Sequence, residues 1–330
     1  MALTVKSAFE KFNKNIVNID IDKTRQARSS RDWLIEQLKT LPSKIDDFPR
    51  LYDEKHIKFG SFARNTKIRP LDDIDLILTF SADGATYSES ILYSNTYYIH
   101  TDNASQNLKN LSNDNGYLSS RRLINKLISS LQEIPQYYRA EIHRKQEAAT
   151  LELLSYEWNF DIVPAFFTVN DFYLIPDGNG NWKATDPRVD QARVSSINQK
   201  HNGKVLQLIR TLKYWNNRAS MPTIPSYLFE NIILNFSDLT DNLLEYIHFN
   251  LTIFWYYLKS AIYYEVQDPK GFQGNLNILS HDDRTKISLK ADDAYNKASE
   301  AINFEVQEKD QKKAINKWRE IFSNEFPTYG

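Results

Sequence analysis

Asp73-Ile74-Asp75-Leu76-Ile77-Leu78-Thr79-Phe80 reads as a buried strand opened by two acids. Its apolar, partly β-branched body fits a strand, and side chains two apart along a strand point to one face. Asp73 and Asp75 therefore share a face, whereas Asp72 has the wrong parity and ends the preceding turn. Two carboxylates held side by side repel unless a cation lies between them, and oxygen-only donors suit Mg²⁺ carrying a nucleotide phosphate. Twelve residues before Asp73 stands the pair Gly60-Ser61. A glycine lets backbone amides approach a phosphate closely, and the serine adds a hydroxyl donor. Downstream, Trp158-Asn159-Phe160-Asp161-Ile162-Val163-Pro164 is a second short apolar run with one acid in it. Asp161 on a neighbouring strand would complete a cradle for two Mg²⁺ ions, with Mn²⁺ able to substitute. Two such ions, about 3.5–4 Å apart, activate an attacking hydroxyl and stabilise a leaving pyrophosphate. Phosphoryl or nucleotidyl transfer is the chemistry these residues predict.

The order Gly60-Ser61, Asp73-x-Asp75 and the lone acid of Phe160-Asp161-Ile162-Val163-Pro164 resembles the DNA polymerase β-like nucleotidyltransferase superfamily. Further pieces narrow the resemblance: Ile175-Pro176-Asp177 with Trp182 and Thr185-Asp186-Pro187, then Leu212-Lys213-Tyr214-Trp215-Asn216, then Pro225-Ser226-Tyr227-Leu228-Phe229-Glu230. Together these are similar to the bacterial CD-NTases, relatives of cyclic GMP-AMP synthase and the oligoadenylate synthetases. The likeness runs from the N-terminal helix to Glu230 at least, about two thirds of the chain.

That resemblance implies an α+β fold of two lobes: a mixed-sheet lobe with a long N-terminal helix, then a C-terminal helical lobe. It implies that Lys213 touches the nucleotide triphosphate, that Tyr227 stacks on a base, and that Ser226 contacts phosphate. On the residues alone, Lys213 is equally a solvated lysine beside an apolar stripe, and Ser226-Tyr227 a helix cap followed by a core aromatic. The implied activity is a Mg²⁺-dependent condensation of NTPs, ATP and GTP foremost, into a cyclic oligonucleotide. A cyclic dinucleotide such as cGAMP is expected over a trinucleotide. Its role would be CBASS anti-phage signalling, in which the product activates a separate effector and a regulatory protein is a further partner. The rivals are a template-independent enzyme adding NMP to RNA, a drug or a protein, a linear oligoadenylate-type synthetase, and a non-catalytic nucleotide-binding module. Intact acids at all three positions count against the last.

Bulk properties restrict the partners. The 330 residues carry 41 Lys and Arg against 42 Asp and Glu, a formal net charge of −1. Without a basic field, no long nucleic acid is expected as substrate or activator. The chain has no cysteine, which excludes disulfides and thiol chemistry. The start, Met1-Ala2-Leu3-Thr4-Val5-Lys6, lacks an apolar signal core, and no stretch approaches about twenty apolar residues. A soluble, cytoplasmic protein without membrane contact is expected.

The periodicity predicts helix from about Leu3 to Leu41, with Ile19-Asp20-Ile21-Asp22 interrupting the stripe and Pro42 ending it. The polar segment from about 85 to 120 reads as a loop. Leu123 to Leu131 reads as a helix, and Tyr138–Lys145 with Thr150–Tyr156 as a hairpin. Beyond Ser195 the period becomes helical: Val205–Trp215, Leu228–Phe236 and Leu243–Tyr264 carry apolar stripes, with Tyr256, Tyr257, Tyr263 and Tyr264 assigned to packing. Two polar amphipathic helices follow, around Asp283–Asn303 and Lys309–Ser323. The predicted division is a nucleotidyltransferase catalytic lobe over residues 1–195 and a helical lobe over 196–330 that closes the nucleotide pocket.

Overall fold

A computed structural model describes residues 1–330. The first helix, α1 (Val5–Phe12), starts at a capping box in which the Thr4 hydroxyl accepts the Ser7 amide. It buries Val5, Ala8, Phe9 and Phe12. A π-helical turn at Asn13–Val17 follows, Asn18 is extended, and α2 (Ile21–Lys39) begins anew. The N-terminal helical stretch is thus two helices, and the break falls at the interruption in its stripe. Pro42 sits in the first turn of a separate short helix, α3 (Leu41–Lys44), where its missing N–H costs nothing.

The chain forms two compact units and passes between them four times. One comprises Ile21–Arg64 and Leu71–Gln191; the other comprises Met1–Asp20, Asn65–Pro70 and Ala192–Gly330.

The first of these is built on a nine-stranded mixed sheet. Its elements are β1 (Ile57–Phe59), α4 (Gly60–Ala63), β2 (Asp73–Phe80), β3 (Thr86–Glu89), β4 (Tyr97–His100), α5 (Gln106–Lys109) and α6 (Ser120–Gln132). They continue with β5 (Glu141–Lys145), β6 (Ala148–Glu152), β7 (Asn159–Phe167), β8 (Tyr173–Pro176) and β9 (Trp182–Thr185). The strand order is β1-β2-β7-β8-β9-β4-β3, with the β5–β6 hairpin joined to β7 through β6. Only β2 and β7 run parallel. They are accordingly the two near-continuous apolar runs of the sequence, with Ile74, Leu76, Ile77, Leu78, Phe160, Ile162 and Ala165 all buried. Helix α6, N-capped by Ser119, packs on the sheet and buries Leu123, Ile124, Leu127 and Leu131.

The polar segment read as a loop carries structure instead. Between residues 85 and 120 lie β3, β4 and α5, and Tyr97 pairs with Trp182 of β9. Its Ser, Asn and Tyr residues mask an alternation in which only Tyr97 and Ile99 are buried.

The other unit is helical: the end of α7 (Pro187–Lys200), then α8 (Lys204–Arg218), α9 (Ser226–Leu239), α10 (Ile247–Ala261), α11 (His281–Val306) and α12 (Gln311–Phe322). Helix α1 belongs to its core. Phe9 packs edge-on against Trp318 and Phe326, with ring centroids 5.0 and 4.9 Å apart. Along α11 the buried positions are Ile287 and then Ala291, Ala294, Ala298 and Ala301, four small side chains that let neighbouring helices α10 and α12 approach closely. The tyrosines assigned to packing divide: Tyr257 is half-buried against Phe236, whereas Tyr256, Tyr263 and Tyr264 are exposed. Tyr256 lies on the exposed side of α10, and Tyr263 and Tyr264 lie in the turn beyond its end at Ala261. No helix is long and apolar enough to cross a membrane.

Candidate active site

Strand alternation and register together gather the acids. Asp73 and Asp75 are two apart on β2, and the parallel pairing sets Asp75 beside Asp161 of β7. One carboxylate oxygen from each of Asp73, Asp75 and Asp161 lies within 4.8 Å of the others, and all three residues are half-buried. Asp72 is exposed, and its carbonyl accepts the Asn159 amide, as the parity argument requires. Three like charges this close are costly unless a cation offsets them, so the triad is suited to hold a divalent metal.

Gly60 faces the same acids. It follows Phe59, the β1 residue paired with Asp75, and adopts φ +75°. A Cβ added here would lie 1.7 Å from Asp75 Oδ2. Only glycine fits, on grounds of both backbone conformation and space. Ser61 follows within the single turn of α4, half-buried. One contributor has no signal in the spacing: Thr150 of β6, opposite Asp161, donates its hydroxyl to Asp161 Oδ1 at 2.6 Å. Finding it requires the β6–β7 register. A carboxylate so held presents one orientation to a metal.

Lys213, Ser226 and Tyr227 belong to the helical unit. Lys213 adjoins the apolar stripe of α8 but is not solvated; it is 6% exposed. Its ammonium donates to Glu230 Oε2 of α9 at 2.7 Å and to the Thr66 carbonyl at 3.3 Å. The Thr66 hydroxyl donates to the same Glu230 oxygen at 3.0 Å. Ser226 is exposed and is the first helical residue of α9 rather than its cap, a position taken by Pro225 without a side-chain bond. Proline's fixed φ and carbonyl suffice to start the helix, and the Phe229 amide bonds that carbonyl.

Tyr227 is half-buried, and its hydroxyl donates to Asp268 Oδ1 at 3.0 Å. The Lys270 ammonium donates to the Tyr227 hydroxyl at 2.7 Å and lies 4.1 Å from the ring centroid. Asp268 also accepts the backbone amides of Lys270, Phe272 and Gln273. The tyrosine is thereby held by its hydroxyl, with the Lys270 ammonium over one face of the ring.

Sheet, glycine turn and acids are those of a polymerase β-like nucleotidyltransferase lobe. No family profile matches the chain. A protein of Bacillus cereus named as a probable cyclic nucleotide synthase is 47% identical over 340 aligned positions, spanning 100% of this chain and 99% of that one. A cyclic AMP-AMP-AMP synthase of an Acinetobacter species is 26% identical over 182 positions, 51% of either chain. Among solved structures, CdnC of E. coli MS115-1 with ATP superposes with a TM-score of 0.71 at 18% identity, covering 98% of both chains. CdnC is also known in a complex with HORMA-deltaN. The Vibrio cholerae DncV cyclic AMP-GMP synthase gives 0.68 at 12% identity, covering 99% of this chain and 98% of that one. The chain belongs to the bacterial CD-NTases, the nucleotidyltransferases that make cyclic oligonucleotides.

Proposed function

We propose that this enzyme condenses ATP with a second NTP, GTP foremost, into a cyclic dinucleotide such as cGAMP, as the signal-producing step of a CBASS anti-phage response. The observation that carries the reading is the set of three acids within 4.8 Å opposite a glycine turn, in a chain 47% identical along its length to a protein named as a probable cyclic nucleotide synthase. Gly60 and Ser61 would hold the donor triphosphate through backbone amides and a hydroxyl, and Lys213 would neutralise part of its charge. Tyr227 would stack on a base, and Ser226 would add a hydroxyl to phosphate. Asp73, Asp75 and Asp161 would hold two divalent ions, Mg²⁺ by the hardness of the donors, and such ions acidify an attacking ribose hydroxyl and stabilise leaving pyrophosphate. Thr150 would keep the Asp161 carboxylate in one orientation. The product would act on a separate effector, and a protein regulator is consistent with the HORMA complex of CdnC.

A second reading, a cyclic trinucleotide of AMP, is favoured by the cyclic AMP-AMP-AMP synthase among the relatives. Both readings use ATP. The test is incubation of the purified protein and Mg²⁺ with labelled ATP, GTP, CTP and UTP, singly and in pairs, followed by phosphatase and mass spectrometry. A phosphatase-resistant species at the mass of two nucleoside monophosphates, less one water per bond formed, is the expected result. Three units from ATP alone would select the second reading. A ladder of triphosphate-bearing linear oligomers as the end product would overturn both.

A further inference from the structure

Glu230 closes the Pro-Ser-Tyr-Leu-Phe-Glu motif, yet nothing in the reaction as described so far uses it. It is 2% exposed, and its Oε2 accepts from two groups at once: the Lys213 ammonium at 2.7 Å and the Thr66 hydroxyl at 3.0 Å. Thr66 is fully buried, and its own carbonyl accepts from Lys213 at 3.3 Å. The three side chains form a buried polar cluster where Thr66 meets α8 and α9, and Leu212, Trp215, Phe229 and Ile233 beside Lys213 and Glu230 in sequence are buried too.

A buried lysine–glutamate pair is a poor stabiliser, because desolvating both charges offsets most of their attraction, and packed apolar residues of the same volume do as well or better. Stability therefore does not account for it. Lysine's ammonium is a point charge on a four-carbon stem with large rotamer entropy. Tethered to Glu230 and Thr66, that charge is confined to one place before any ligand arrives, so less freedom is lost when a phosphate meets it.

We propose that Glu230 is a positioning residue of the nucleotide site: with Thr66 it fixes the Lys213 ammonium for the triphosphate without itself touching substrate. The inference rests on the proposed contact between Lys213 and the triphosphate. Removing the charge of Glu230 while keeping its shape loosens the lysine and selectively weakens ligands that carry a triphosphate.

The measurement is the dissociation constant of the full-length protein for α,β-methylene-ATP and for AMP in Mg²⁺, expressed as the ratio between the two, with thermal melting to establish folding. Lys213→Met and Glu230→Gln are each expected to reduce the preference for the triphosphate about tenfold, the scale of one charge-assisted hydrogen bond. Thr66→Val removes one anchor of the carboxylate and should reduce the preference in the same direction by about threefold, a neutral hydrogen bond's worth. AMP binding should stay near wild type throughout. An unchanged ratio in Lys213→Met would overturn the assignment of Lys213 to the triphosphate, and the inference with it. A reduced ratio in Lys213→Met beside wild-type ratios in both Glu230→Gln and Thr66→Val would overturn the role of Glu230 alone. Equal loss of both ligands in Glu230→Gln would also overturn it, because a structural role weakens the site without regard to phosphate number. Where Glu230→Gln fails to fold, the ratio in Thr66→Val decides by the same criteria.

Discussion

At Asp161 one carboxylate serves two neighbours: Oδ1 accepts the Thr150 hydroxyl, and the group faces Asp75 across a single strand pairing. Asp75→Asn or Asp161→Asn changes charge with little change in size. Either should leave the melting temperature near wild type and cut synthesis about a thousandfold or more, since the metals supply several kcal/mol to the transition state. Chelation by EDTA should silence the unaltered enzyme equally. Near wild-type turnover in either variant would remove the metal assignment. The acids and Gly60 are legible in the sequence because strand alternation and φ > 0 glycine turns are local properties. Thr150 and Glu230 are not. The first acts through the register of β6 on β7 and the second through the packing of α9 on α8, and neither pairing has a local signature.

Among the elements, the far end of β2 depends on a histidine. His56 Nδ1 accepts the Thr79 amide at 3.0 Å, and the Thr79 hydroxyl donates to the Lys55 carbonyl at 2.6 Å. Burial pushes the His56 imidazole below its ordinary value and nearby Lys39 adds to this, while Asp53 opposes it. The unfolded chain therefore takes up this proton more readily than the folded one. The stability contributed by neutral His56 is present above about pH 6.5 and is lost as pH falls towards the depressed folded value. Melting between about pH 7.5 and about pH 5.5 should fall further for the wild type than for His56→Asn, whose side-chain oxygen can still accept the amide. Equal falls would assign the acid sensitivity to other groups. Element types in the sequence were legible wherever the apolar period was long, as in β2, β7, α8 and α9. They were obscure at β3 and β4, where polar and aromatic residues hide a short alternation; at α9 only the start was obscure, which proline and not serine sets.

For the whole molecule, charge balance bounds what can regulate it. With 41 basic and 42 acidic residues, duplex DNA or RNA should neither raise the rate of synthesis nor bind with the steep salt dependence of phosphate recognition. Saturable duplex binding at about 150 mM salt would contradict this and point to a local basic groove. Periodicity also discloses where helices replace strands, but it holds no sign that the first twenty residues rejoin the helical unit, because burial of Phe9 and Phe12 depends on partners three hundred residues away. That return sets an order of events during synthesis. The sheet unit is complete once Gln191 has left the ribosome, while the apolar face of α1 meets Tyr214 and His248 later and Trp318, Phe322 and Phe326 last. Until those last aromatics are made, the apolar face of α1 is covered only in part, which makes it a natural substrate for chaperones.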